Sequence, residues 1–87
     1  MKIKYEKKAL KYLAKTEKSI VENIKNAING LTETPPKGDV KLLSGYKDGR
    51  KRLRFGKYRI IFKFDQKEIT VLLILNIGTR GGIYKED

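Results

Sequence analysis

The chain has 87 residues, and its 21 lysine and arginine residues against 10 aspartate and glutamate residues give a formal net charge of +11. It contains no cysteine and no histidine, which excludes a disulfide framework, a thiolate metal site and the usual general base at neutral pH. The length predicts a single domain, residues 1–87, and the charge favours a polyanionic partner such as nucleic acid, an anionic membrane surface or an acidic protein. The alternative is a lysine-rich surface that provides solubility alone.

The first residues are followed by lysines rather than by an apolar stretch, so no signal peptide is predicted. No apolar run approaches the ~20 residues of a membrane span. We therefore expect a cytoplasmic protein without a membrane partner, a metal, a cofactor or a small-molecule ligand.

The predicted elements begin with a short strand, in which Ile3 and Tyr5 alternate with lysines. Apolar residues at helical spacing then predict one helix around residues 9–14 and a second from about Thr16 or Glu17. The segment 32–39 ends the second helix because it contains two consecutive prolines. The two helices are expected to form an antiparallel pair.

The rest of the chain predicts a sheet. Residues 40–45 lead into a turn at 46–49, and strands are expected at 50–55, 58–64 and 68–77. The last strand lacks alternation, which is typical of a strand covered on both sides. The predicted class is α+β, with an N-terminal helical hairpin packed on one face of a twisted, mainly antiparallel sheet.

A dense run of positive charge, RKRLRFGKYRIIFKF, extends from Arg50 to Phe64 and holds seven lysine or arginine residues and no acid. Gly56-Lys57 fits a two-residue type II′ turn, which would set Arg54 opposite Arg59. Because side chains alternate between the faces of a strand, one face then collects the basic residues. The basic residues of this face are Arg50, Arg52, Arg54, Arg59 and Lys63.

The next hairpin is expected to turn at Gln66-Lys67, which would pair Phe62 with Val71 and place even-numbered residues of the last strand on the arginine side. The parity of Arg80 points it to the same side, whereas Tyr84 follows two glycines and is not placed by parity.

Like charges opposite one another destabilise a sheet, so Arg54 facing Arg59 suggests a function rather than a folding role. Charges that protect an edge strand from aggregation are usually lysines and explain one or two such residues. The planar fork of arginine suits phosphate, and the face is therefore predicted to bind phosphodiesters.

A combination of motifs, LSG, RLRFGKYRIIF and GTRGGIY, resembles the RelE/ParE superfamily of toxins from type II toxin–antitoxin pairs. The resemblance covers nearly the whole chain and implies a microbial RNase-like fold. RelE-type members bind the ribosomal A site and cut mRNA there, and an acidic antitoxin holds them inactive. ParE-type members share the fold and motif but poison DNA gyrase.

The resemblance implies that Arg59 and Arg80 stabilise phosphate and transition-state charge, and that Tyr84 acts as the base or stacks on a substrate base. The alternative for Tyr84 is an aromatic plug that closes the sheet. The chain departs from some members of the superfamily in two ways. Some RelE-type toxins carry lysines on the strand that here holds Arg50 and Arg52, whereas Lys51 is expected on the opposite face. Other members have a catalytic Glu–His pair, and this chain contains no histidine.

Three hypotheses follow for the chain. The first is a toxin that cleaves translated mRNA as an endoribonuclease, with an acidic cognate antitoxin, the ribosome and mRNA as partners. The second is a gyrase inhibitor of the same fold, and the third is an RNA-binding module without catalysis. All three predict a basic face, and only the first predicts that Arg80 and Tyr84 matter for activity beyond RNA binding.

Overall fold

The computed structural model describes residues 2–65 and 71–79, which form two α-helices, a short 3-10 helix and five strands. In chain order these are β1 (Lys2–Tyr5), α1 (Lys7–Ala14), α2 (Lys18–Asn29), the 3-10 helix (Gly30–Thr32), β2 (Asp39–Leu42), β3 (Lys51–Phe55), β4 (Tyr58–Phe64) and β5 (Val71–Thr79). The strands form one sheet in the order β1-β5-β4-β3-β2. β1 runs parallel to β5, and the other neighbours are antiparallel, which confirms the predicted α+β class and its mainly antiparallel sheet.

The two helices cover one face of the sheet with their apolar sides. Ala9 and Leu13 of α1 and Ile24 and Ile28 of α2 lie one helical turn apart on each helix and are buried. They pack against inward-facing strand residues, which are Leu53, Ile60, Phe62, Leu72, Ile74 and Ile77. Neither helix of the described ranges has the length and apolarity that a membrane span requires.

The short link between the helices and the end of α2 follow from local hydrogen bonding. The hydroxyl of Thr16 donates to the carbonyl of Tyr12 at 2.7 Å, and the same carbonyl accepts from the amide of Lys15 at 3.2 Å, so the chain closes tightly at the end of α1. Beyond α2, the 3-10 helix buries Leu31, and the amide of Lys37 donates back to the carbonyl of Gly30 at 2.9 Å. The predicted interruption at residues 32–39 therefore lies after this extra turn, where the chain crosses to β2.

The register predicted for the β3–β4 hairpin is confirmed. Phe55 pairs with Tyr58, and Arg54 pairs with Arg59. Gly56 has a φ of 60°, and no non-glycine residue of the described chain has a positive φ, as a type II′ turn with glycine first requires. The alternation along both strands is consequently the predicted one, with the arginines directed away from the helices.

The register predicted for the β4–β5 hairpin is wrong. Phe62 pairs with Ile74 instead of Val71, and Asp65 closes the hairpin through its amide, which donates to the carbonyl of Val71 at 2.9 Å. Gln-Lys lacks the glycine or asparagine that a two-residue turn needs, so the chain closes through a longer connection whose residues, 66–70, lie outside the described ranges.

A β-bulge further changes the faces of β5. Ile61 pairs with Asn76 while Phe62 pairs with Ile74, so β5 holds one extra residue at this point. Leu72 and Ile74 consequently face the helices, contrary to the predicted parity, whereas Asn76 and Gly78 lie on the arginine side as predicted. The bulge also explains the missing alternation, because residues 72, 74 and 77 all enter the same core.

Candidate nucleic-acid interface

The sheet face directed away from the helices, called here the arginine face, is strongly basic. The strand registers and the hydrogen bonding of residues 48–50 place on it the charged residues Lys2, Lys4, Asp39, Lys41, Asp48, Arg50, Arg52, Arg54, Arg59 and Lys63. The five predicted basic residues, four on β3 and β4 and Arg50 just before β3, therefore lie on one face. β1 and β2 add three lysines to it, and two aspartates lie among the cations.

An open cleft of about 390 Å³ lies between β2, β3 and β4 on this face. It is lined by three arginines, by the end of β2 and by the start of the β2–β3 loop, namely Arg52, Arg54, Arg59, Lys41, Leu42, Leu43 and Ser44. A lining that combines guanidinium groups with leucine residues suits a phosphodiester with an attached base or sugar.

Asp39 of β2 orders two of these arginines. It lies directly across from Arg54 in the β2–β3 register, and its Oδ2 is 2.6 Å from the Arg54 Nη2. Its Oδ1 is 3.7 Å from the Arg52 Nη2. The side chain of Arg52 is 12% exposed and that of Arg54 is 56% exposed, so Arg54 presents more of its donors to solvent. The predicted juxtaposition of Arg54 and Arg59 is thus offset by a carboxylate on the opposite side of Arg54.

Arg59 lies on β4, the strand between β5 and β3, directly after the β3–β4 turn. Its Nη1 donates to the carbonyls of Gly56 and Tyr58, both at 3.1 Å, and it contacts no carboxylate of residues 2–65 or 71–79. These two backbone bonds fix the guanidinium and leave its charge uncompensated within the described ranges. Arg59 is therefore the cation of the cleft best prepared to receive an anion.

Asp48 of the β2–β3 loop neutralises the other end of the face. Its carboxylate accepts from Arg50 Nη2 at 2.8 Å, from Arg50 Nε at 3.1 Å, and from the Lys63 Nζ at 3.2 Å. Hydrogen bonding from the Arg50 guanidinium is the strongest influence and holds the pKa of Asp48 well below its usual range, and Lys63 acts in the same direction. The same hydrogen bonds raise the pKa of Arg50. Arg50 and Lys63 are thus on the predicted face, with a carboxylate already between them.

Several residues of the cleft were not predicted from the sequence. Lys41, which pairs with Arg52, lies on the arginine face, whereas Lys51 of β3 pairs with Phe62 on the opposite face. The alternation of Lys41 with Val40 in the segment DVKL is a strand signal that could have indicated its face. Arg80 and Tyr84, the other two catalytic candidates, lie outside the described residues.

No cluster of three or more potential metal-ligating side chains occurs in the part of the chain that the structure describes.

The chain has the fold of several solved toxin structures. The chain matches RelE in the RelB-RelE antitoxin-toxin complex from Methanococcus jannaschii with a TM-score of 0.71 and 24% identity, covering 94% of this chain and 95% of that one. It matches the archaeal RelE-RelB complex from Pyrococcus horikoshii OT3 with a TM-score of 0.70 and 29% identity, covering 93% of this chain and 96% of that one. It matches the isolated E. coli RelE toxin with a TM-score of 0.71 and 20% identity, covering 97% of this chain and 90% of that one. The helical hairpin and mixed sheet are therefore those of the RelE-type toxins.

The family model that matches the chain is that of the ParE toxin of the type II toxin–antitoxin system parDE, over residues 3–84. The chain belongs to this family, and thus to the RelE/ParE superfamily of type II toxins. No curated protein matches it significantly in sequence.

Proposed function

We propose that this toxin is an endoribonuclease that cuts translated mRNA on the ribosome in the cytoplasm. The observation that carries the proposal is the convergence of Arg52, Arg54 and Arg59 on one cleft of the arginine face. Three guanidiniums from two neighbouring strands form a rigid, positively charged site, which favours a phosphodiester whose negative charge increases in the transition state.

Cleavage of RNA also needs a base for the 2′-hydroxyl and an acid for the leaving 5′-oxygen. The chain contains no histidine, so these roles fall to tyrosine, lysine or groups of the ribosome. Lys41 lines the cleft and is the candidate proton donor in this proposal, because Lys63 already contacts Asp48. Arg80 and Tyr84 keep the roles that the family resemblance implies, charge stabilisation and proton abstraction or base stacking.

The cognate partner in this proposal is an acidic antitoxin that covers the basic surface. The net charge of +11 supports it, and the M. jannaschii and P. horikoshii RelE structures were each solved with RelB. A partner that binds the folded toxin also stabilises it by mass action.

Inhibition of DNA gyrase is the second candidate function, and the match to the ParE family model is the observation that favours it. A gyrase inhibitor of this fold would use the basic face to bind, without cutting RNA. The third candidate, a non-catalytic RNA-binding module, predicts RNA affinity without toxicity.

The deciding experiment induces the wild type and Arg59→Ala in cells and maps mRNA 5′ ends. We expect wild type to cut within translated codons, and the cuts should disappear when initiation is blocked. Arg59→Ala should lose the cuts while remaining folded, because its guanidinium bonds only to carbonyls of its own turn among the described residues. Lys7→Ala, on the exposed start of α1, removes the same charge elsewhere and should cut as wild type.

Three results would contradict the proposal. Uncut mRNA with DNA breaks or an SOS response would make gyrase the target. Growth without any defect on induction would favour the non-catalytic module. Equal cutting by wild type and Arg59→Ala would remove the arginine cleft from the mechanism.

A further inference from the structure

Tyr46 is a large aromatic side chain held in an exposed position beside the arginine face. It lies in the β2–β3 loop and is 52% exposed. The guanidinium carbon of Arg50 lies 4.3 Å from the centroid of its ring. A ring that keeps half of its surface in solvent while a guanidinium covers one side has its remaining surface open to a ligand.

Arg50, whose guanidinium lies over this ring, is held to the sheet by hydrogen bonds. Arg50 is bound through two of its nitrogens to Asp48, at 3.1 and 2.8 Å, and Asp48 is bound to Lys63 of β4 at 3.2 Å. The loop is therefore tied to the strand next to it by a chain of charge-assisted hydrogen bonds. Arg50 is not free to leave the ring, so Tyr46 and Arg50 form a preorganised pair.

Residues just before and just after the Tyr46–Arg50 pair in the sequence line the arginine cleft. Ser44, two residues before Tyr46, lines the cleft, and so does Arg52, two residues after Arg50. Two residues span at most ~7 Å, so a nucleotide strand whose phosphates occupy the cleft would have a neighbouring base within reach of the Tyr46 ring.

We infer that Tyr46, supported by Arg50, is a stacking platform for one base of single-stranded RNA, next to the phosphate-binding arginines. This inference rests on the proposed function, in which the arginine face binds RNA, and adds to it a site for a base. Stacking on an aromatic ring accepts any base, because every base has a π-face. The platform thus contributes affinity and position rather than sequence preference.

The first test measures binding of the purified full-length chain to a single-stranded oligoribonucleotide and to an abasic oligomer with the same phosphates. Tyr46→Ala should weaken binding of the base-containing oligomer by roughly 5- to 150-fold, the range for loss of one aromatic–base stack. Tyr46→Phe keeps the ring and should bind as wild type. The abasic oligomer should bind all three proteins equally.

A second test uses the absence of tryptophan from the sequence. Tyr46→Trp creates a chain with one tryptophan, whose fluorescence should be quenched by the base-containing oligomer and not by the abasic one. Leu10→Trp is the matched control, because Leu10 is 53% exposed on α1, in the layer on the other side of the sheet. Its fluorescence should not respond to the bases.

The outcomes separate failure of the platform from failure of the proposed function. If wild type binds neither oligomer, RNA binding by the arginine face is wrong. If wild type binds RNA and Tyr46→Ala binds it equally well, the face binds RNA and the platform is wrong. Equal losses for both oligomers, or equal quenching at positions 10 and 46, would also overturn the stacking assignment.

Discussion

Removal of the Asp48 carboxylate should destabilise this protein more than removal of any exposed acid on the helical side. Asp48→Asn keeps the size of the side chain and eliminates the charge that holds Arg50 and Lys63. The three side chains are 22%, 29% and 23% exposed, so the network is only partly screened by water. A hydrogen bond to a charged group contributes ~1.5–3 kcal/mol and an exposed ion pair ~0–1 kcal/mol. The partial burial therefore predicts a loss of ~1–3 kcal/mol in the free energy of unfolding.

Thermal and urea unfolding measure this loss. Each ~1 kcal/mol lowers Tm by ~4–8 °C in a domain of this size, so Asp48→Asn should melt at least several degrees below wild type. Glu33→Gln is the matched control, because it removes one carboxylate from an exposed pair in which Lys37 and Glu33 lie 3.4 Å apart. At ~0.5 kcal/mol or less for such an exposed pair, its Tm should change by ~4 °C or less. Equal shifts for the two variants would refute the argument that the Asp48 network contributes to stability.

The same network predicts how stability depends on pH. The pKa of Asp48 is lower in the folded protein than in the unfolded chain, because Arg50 and Lys63 stabilise its charged form. Its contribution is therefore complete above the unfolded pKa of ~4 and is lost as the pH falls through the folded value. The stability difference between wild type and Asp48→Asn should be the same at pH 6 and 7 and should shrink below about pH 4. A constant difference down to pH 2 would contradict this linkage.

The other predictions concern Asp39 and one glycine. Asp39→Asn releases guanidinium donors from a carboxylate 2.6 Å away and should strengthen binding of single-stranded RNA, with the salt slope steeper by ~0.7 per added phosphate contact. Glu33→Gln makes the same change in net charge and should leave the RNA affinity and its salt slope unchanged. If Asp39→Asn bound RNA more weakly than wild type, the role of Asp39 would instead be to position the arginines. Gly38→Ala, at a φ of 111° with a new Cβ 2.6 Å from buried Leu53, should lower the unfolding free energy by ~1–3 kcal/mol more than Gly45→Ala, which has open space.

The β3–β4 hairpin was predictable because local signals determine it. Gly56 marks the turn type, and the turn fixes the register of Arg54 against Arg59. Hydrophobic alternation then assigns the faces, and the helical periodicity of residues 9–31 assigns the other layer. Each of these features depends on residues close together in the chain.

The β4–β5 pairing and the parallel position of β1 were not predictable in the same way. The bulge in β5 depends on how Ile74 and Ile77 fill the space beneath the helices, which is a tertiary effect. The parallel pairing of Lys4 with Leu73 joins opposite ends of the chain. The β1–β5 pairing places Lys2 and Lys4 on the arginine face, and the bulge in β5 determines which residues of β5 lie there.

The carboxylates of the candidate site were also missed, since they come from outside the basic segment. Asp39 belongs to the neighbouring strand and Asp48 to the loop, so a count of charges between Arg50 and Phe64 contains neither. The arginines appear uncompensated in the sequence, whereas the structure pairs most of the predicted set and leaves Arg59 with carbonyl partners.

The placement of these two acids accounts for a basic face that remains compatible with a stable sheet. Asp39, Arg54 and Arg59 lie in one row across β2, β3 and β4, so the repulsion between the two arginines is balanced from the β2 edge. Asp48 does the same for Arg50 at the other end. Asp39 contacts Arg54 and Arg52, and Asp48 contacts Arg50 and Lys63, so neither carboxylate takes up the charge of Arg59 in the cleft. A phosphate bound in the cleft would contact Arg54 and Arg59, whose guanidinium donors the fold has already oriented. Binding and folding therefore use the same pairs of charges, and a change to either aspartate should affect both.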